Sequence, residues 1–271
     1  MPDQKDKCTR FAALHERDGA FVIPNPWDAG TARLLQGLGA EALATSSAGF
    51  AFTLAKSDST PTLDEKLAHC RELAAATDIP VSVDFEDGFA RAPAGVARNI
   101  EALIATGVAG CSIEDFDREK QEIIEFDLAV ERVSAAAEVV AKLDFPFMLT
   151  ARAENLLRGV QDMDDTIRRL QAFEAAGASV LYAPGLTRLE DVALVTSSVD
   201  GPVNVLGIMI PGASLADFSE AGAKRVSLGS ALTYASLQPV IDAAEAMLQR
   251  GDFGWTTNMA SGRRIQELLR Q

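Results

Sequence analysis

Three acidic residues, Asp84, Glu86 and Glu114, are spaced so that they could act together. Asp84 and Glu86 stand two apart where the apolar run Pro80 to Val83 ends, and Glu114 follows the next run, Ala109 to Ile113. Residues two apart on a strand share a face, and neighbouring strands lie about 4.8 Å apart, so pairing of these runs would make the three carboxylates converge. A cation must then offset their repulsion. Oxygen donors without His or Cys select a hard ion, Mg²⁺ or Mn²⁺, over Zn²⁺. The competing use of such acids is to cap helices and line their first turns, which suits the adjacent Asp87 and Asp115.

Arg152 is the second chemical group. It directly follows the apolar segment 147–151, where a guanidinium offers a fork to a carboxylate or a phosphoryl group. An ion pair with Glu154 or with an acid of the preceding strand is the alternative. Ser46, Ser47, Ala48 and Gly49 form a small-residue turn whose backbone N–H groups could hold an anion. Trp27, in the ProAsnProTrpAsp stretch at 24–28, and Asn204 are further candidates for touching a substrate. Cys111 lies inside an apolar run, three positions before Glu114, and reads as core.

These residues need a scaffold that delivers them to one place. Eight short apolar runs recur: Ala20 to Ile23, Ala42 to Thr45, Pro80 to Val83, Ala109 to Ile113, Phe147 to Thr150, Ser179 to Tyr182, Val203 to Leu206 and Arg225 to Leu228. Amphipathic stretches separate them, such as Leu63 to Ala76, Pro93 to Ala105, Leu128 to Leu143 and Asp164 to Ala176. Small-residue stops at 37–40, 106–109, 176–178 and 221–223 end several of these helices just before a strand. Eight βα units predict an α/β chain, a single (β/α)8 barrel, whose active site sits at the C-terminal ends of the strands. The candidate residues fall there. A doubly wound open sheet is the competing architecture, yet the Gly37, Gly39, Ala42 pattern follows a helix and precedes a strand, the reverse of a dinucleotide fingerprint. The helix expected over Tyr234 to Phe253 and the basic tail to Gln271 exceed what the barrel needs. Residues 231–271 are therefore expected to be a C-terminal arm of the one domain 1–271, either capping the barrel or packing on another subunit.

Among 271 residues, 39 Asp and Glu oppose 25 Lys and Arg, a net charge of −14, and no basic run occurs, which argues against nucleic acid and anionic membranes as partners. No apolar stretch approaches the roughly 20 residues of a membrane span, and the N-terminus has no signal-like apolar segment, so a cytoplasmic protein is expected. Three cysteines without paired spacing argue against a disulfide framework, and two histidines, His15 and His69, cannot make a three-His metal site.

Seven blocks, taken in order, resemble the isocitrate lyase/phosphoenolpyruvate mutase superfamily: 24–33, ThrSerSerAlaGly at 45–49, ValSerValAspPheGluAspGly at 81–88, GlyCysSerIleGluAsp at 110–115, LeuThrAlaArg at 149–152, ProGlyLeu at 184–186 and ProValAsnVal at 202–205. The resemblance implies a barrel whose last helix is exchanged between subunits in a homodimer or homotetramer, with Mg²⁺ in the pocket. Asp84, Glu86 and Glu114 match its metal-site carboxylates, and Arg152 the arginine that binds a small carboxylate substrate. Ser46, Ser47 and Gly49 fall on its substrate-holding loop, Asp58 matches a further active-site aspartate, and Asn204 lies in its last block. The departure is at 116–125, where the superfamily's lyases carry a Cys-containing loop and this chain has neither Cys nor His. A reaction without that acid points to a Mg²⁺-dependent carbon–carbon lyase or decarboxylase on a small 2-oxo or 2-hydroxy dicarboxylate. Phosphoenolpyruvate/phosphonopyruvate mutation or carbon–phosphorus hydrolysis is the alternative within the superfamily, and a carboxylate-binding barrel without turnover is a third reading.

Overall fold

A computed structural model describes residues 2–270. Eight strands form the inner wall: β1 (Phe21–Ile23), β2 (Leu43–Ala44), β3 (Val81–Asp84), β4 (Gly110–Glu114), β5 (Met148–Arg152), β6 (Val180–Tyr182), β7 (Val203–Leu206) and β8 (Arg225–Ser227). Every neighbouring pair is parallel, in the order β1-β8-β7-β6-β5-β4-β3-β2. The Ala44 N–H donates to the Pro24 carbonyl just beyond β1 at 3.1 Å, joining the two outer strands. This cyclic order is the expected (β/α)8 barrel and excludes the doubly wound sheet.

The outer layer comprises α1 (Gln4–Glu16), α2 (Ala29–Gly37), α3 (Ser47–Thr53), α4 (Leu63–Ala76), α5 (Pro93–Ile104), α6 (Phe126–Val140), α7 (Met163–Ala175), α8 (Leu189–Ser197), α9 (Leu215–Glu220), α10 (Ala231–Arg250) and α11 (Gly262–Leu269). Local chemistry sets their ends. Asp28, Thr62 and Ser214 each cap a helix reciprocally with the residue three positions on. Gly107 and Gly177, at two of the predicted stops, adopt φ of +92° and +102°, values that residues with a β-carbon rarely take. Elements that were not anticipated include α3, which begins inside the 46–49 turn, and a small antiparallel pairing of Phe116–Asp117 with Glu122–Ile123 beyond β4.

The main core lies between strands and helices and includes Phe11, Val83, Cys111, Leu149 and Phe173. Inside the barrel the lining is polar, since Ser82, Ser112, Thr150, Asn204, Arg225 and Ser227 are all buried. Beyond the last strand, α10 buries only Thr233 and Ala246 and leaves Val240 62%, Ile241 50% and Leu248 80% exposed. The tail folds back through α11, where Arg33 donates to the Leu269 carbonyl on the side of α2. Among the described residues, no helix is long and apolar enough to cross a membrane.

Candidate active site

Asp84 ends β3 and Glu114 ends β4, and Arg152, at the end of β5, lies between them. The Arg152 guanidinium reaches Asp84 Oδ1 at 3.2 Å, Glu114 Oε2 at 3.3 Å and Glu154 Oε1 at 2.6 Å. Its face also covers the Tyr182 ring, 5.1 Å from the centroid. Both readings of Arg152 meet here. It stands at the mouth of the barrel, and it carries the ion pairs with Glu154 and with the β4 acid. Burial works against its charge, but Glu154, Glu114 and Asp84 together raise its pKa well above the usual arginine value.

Glu86 follows β3 with φ +50° and is held from two sides. Lys66, fully buried on α4, brings its Nζ to 3.3 Å from Glu86 Oε1, and Arg118, from the hairpin beyond β4, brings Nη1 to 3.3 Å from Oε2. The lysine contact is badly directed: Oε1 accepts no hydrogen bond, while Lys66 Nζ donates to the Asp84 carbonyl at 3.2 Å. Arg158 completes the shell, with Nε 3.2 Å from Glu154 Oε2 and Nη2 3.7 Å from Glu114 Oε1. Five acids (Asp84, Glu86, Asp87, Glu114, Glu154) thus share four cations (Lys66, Arg118, Arg152, Arg158), Asp87 Oδ1 lying 3.8 Å from Arg118 Nε.

Burial pushes the Glu114 carboxyl well up, with Glu154 adding to the rise and Arg152 opposing it. Glu86 is also raised by burial, against Lys66. Burial works to raise Asp84, yet it ends below its usual value because Arg152, Lys66 and the hydrogen bonds from Ser47 together outweigh burial. The three carboxylates expected to share one ion are therefore each held by protein cations. Among the described residues, no three Asp, Glu, His or Cys side chains gather closely enough to hold a metal ion.

Below this charge layer lies a cavity of about 50 Å³, lined in part by Asn25, Asp84, Arg152, Tyr182, Asn204 and Arg225. Asn204 is there as expected, donating to Ser227 Oγ at 2.9 Å. The turn at 46–49 is not a free anion nest. Ser46 caps α3 by accepting from the Gly49 N–H at 3.2 Å, and the Ser47 N–H donates to Asp84 Oδ2 at 3.1 Å, so the anion this turn holds is the protein's own. Asp58 is exposed, accepts from the Ser59 N–H, and reaches the site only through its charge, which adds to the rise at Glu86. Trp27 is half-buried outside the cavity lining, its carbonyl accepting from His69 Nε2 at 2.9 Å. Cys111 is a buried thiol whose pKa burial raises, in keeping with its core reading.

Sequence reading missed Lys66, Arg118, Arg158, Glu154 as a hub, and Arg225. Lys66 had a signal, because it shares helical phase with the buried His69, Cys70 and Leu73. Arg225 had another, because Ser82/Asp84, Ser112/Glu114, Thr150/Arg152 and Arg225/Ser227 put polar residues on alternate positions of four strands.

The family model for phosphoenolpyruvate phosphomutase matches residues 11–248, the whole barrel. The chain belongs to that family. It lies within the isocitrate lyase/phosphoenolpyruvate mutase superfamily, as its sequence blocks indicated. A crystal structure from Burkholderia cenocepacia, provisionally assigned as a lyase/mutase, superposes with a TM-score of 0.94 at 47% identity, covering 99% of this chain and 97% of that one. The 2-methylisocitrate lyase of Escherichia coli is 30% identical over 202 residues, 71% of this chain and 67% of its own length. An oxaloacetate decarboxylase of Rhodopseudomonas palustris is 31% identical over 173 residues, 62% and 57% of the two chains. In this member of the phosphomutase family, residues 116–125, which contain neither Cys nor His, include the short hairpin that supplies Arg118.

Proposed function

We propose that the protein is a carbon–carbon lyase or decarboxylase acting on a small 2-oxo or 2-hydroxy dicarboxylate, with Mg²⁺ or Mn²⁺ as its metal. The observation that carries this reading is the Arg152 hub, a guanidinium bridging Asp84, Glu114 and Glu154 directly above a polar cavity. Relatives named as a lyase and a decarboxylase support the reaction class. The donor set suits a hard ion, since it is all carboxylate and includes the buried, hydrogen-bond-free Glu86 Oε1. Asp84, Glu86 and Glu114 would hold it. When bound, the ion would supply positive charge to the enolate that develops on a 2-oxo acid.

The chain's own residues do the rest. Arg152, turned from Asp84 and Glu114 to a substrate carboxylate, frees both acids. Because these acids already have protein cations beside them, an added divalent charge calls for an anionic ligand next to it. Tyr182 in the cavity wall, its hydroxyl pushed up to about 12 by burial, stays protonated and able to donate. We further propose that the uncovered apolar face of α10 packs on a second copy, giving a homodimer or homotetramer.

Titration of Mg²⁺ into wild type and Glu114→Ala, with and without oxalate, tests the metal assignment. Mg²⁺ should bind wild type more tightly with oxalate present, and the substitution should weaken it at least about tenfold; equal affinities would reject the site. Turnover of a panel of 2-oxo and 2-hydroxy dicarboxylates tests the reaction, with phosphonopyruvate followed by ³¹P NMR. Carbon–phosphorus turnover alone would overturn the carbon–carbon reading.

A further inference from the structure

Arg152 has little positive charge to spare, but a second buried arginine does. Arg225 opens β8, is 4% exposed, and lines the same cavity. Its Nε donates to Asn204 Oδ1 at 2.8 Å and its Nη2 to Thr150 Oγ1 at 3.1 Å, while Nη1 faces His15 Nε2 at 3.4 Å. His15 Nδ1 lies 2.8 Å from the Phe11 carbonyl, which places its proton on Nδ1 and leaves Nε2 as an acceptor. Burial, with Arg225 adding to it, pushes the His15 pKa down to about 3, so the ring is neutral. All three partners are uncharged.

Among the described residues, no carboxylate comes within ion-pair distance of Arg225. Arg132 is also buried without an ion pair, but it donates to the Glu114, Asp87 and Ala90 carbonyls, and Asp87 leads several acids that act on its charge. At Arg225 the only such group is Tyr182, itself protonated. A guanidinium has five N–H donors, so two remain beyond its three contacts. The cavity beside it, about 50 Å³, exceeds the roughly 10–15 Å³ that a single small polar occupant such as a water needs. An unpaired buried cation is costly, and an anion offsets that cost with charge-assisted hydrogen bonds.

We propose that Arg225 is a specificity-determining residue that anchors the second carboxylate of the substrate inside the barrel, below the Arg152 layer. This rests on the reading of the site as one for small dicarboxylates. It makes the difference between a dicarboxylate and its monocarboxylate counterpart a property of β8.

The test compares malate and lactate, 2-hydroxy acids that differ by one carboxylate, binding to the full-length protein at a fixed Mg²⁺ concentration by calorimetry. Wild type should prefer malate. Arg225→Met should weaken malate about ten- to a hundredfold and leave lactate within about twofold, the loss expected for charge-assisted hydrogen bonds. It should also raise the melting temperature, because an unpaired buried charge has gone. Arg225→Lys keeps a charge without the fork and serves if the Met variant does not fold; it should lose about tenfold on malate alone. No loss, or an equal loss on both acids, in a variant of a wild type that prefers malate overturns the role of Arg225 and leaves the dicarboxylate reading standing. Wild type binding neither acid nor oxalate overturns both.

Discussion

Replacing Arg152 with Gln removes the one cation that touches Asp84, Glu114 and Glu154 at 3.2, 3.3 and 2.6 Å. The glutamine can still donate a hydrogen bond, but three largely buried carboxylates lose their shared counter-charge. Breaking a buried pair from one side costs about 3–5 kcal/mol. Over the 271 residues of this chain, an unfolding entropy of about 2.1 cal/mol/K per residue converts that to a fall in Tm of roughly 5–9 °C. The loss must depend on pH. Glu114 already has a raised pKa in the folded protein, and without Arg152 it rises further, joined by Asp84, whose low value rests on Arg152 before Lys66. A carboxylate whose folded pKa exceeds its unfolded one takes up a proton on folding at intermediate pH. Its stabilising contribution is present at low pH and lost as pH rises through the folded pKa. The Tm gap between wild type and Arg152→Gln should therefore widen from about pH 5 to about pH 8, in thermal unfolding followed by circular dichroism. A gap that is the same at both ends, or absent at the upper one, would refute the account of Arg152 as the neutralising hub.

Two other outcomes follow from the same structure. Lys66→Met should destabilise by about 3 kcal/mol in urea at neutral pH because it strips a counter-charge from Glu86. Glu86→Gln in that background should recover much of the loss, and a double-mutant coupling near zero would show that the 3.3 Å approach is energetically idle. At α10, Val240→Glu together with Ile241→Glu should turn a homo-oligomer into a monomer in light scattering while the far-ultraviolet dichroism is kept, and a wild type that is already a folded monomer rejects the subunit contact.

The sequence by itself determined the order of elements and the level at which the chemistry sits. Alternation of apolar runs with helical periodicity, closed by residues such as Gly107 and Gly177, is local information, and it sufficed for eight parallel strands. Placing Asp84, Glu114 and Arg152 at strand ends needed only that barrel geometry. Their partners were a different matter. Arg152 lies 68 residues from Asp84, and Arg225 lies 75 from Thr150. Whether a long side chain turns to an acid, a carbonyl or a cavity is fixed only when the ring of strands closes and sets the distances across it. The same closure turned the Ser47 N–H to Asp84 instead of leaving it to an outside anion, and left Asp58 at the surface. It also set Lys66 under Glu86 and left Arg225 without an acid. Secondary structure follows from neighbours along the chain, whereas the compensation of buried charge depends on which groups the tertiary fold brings within a few ångströms of one another.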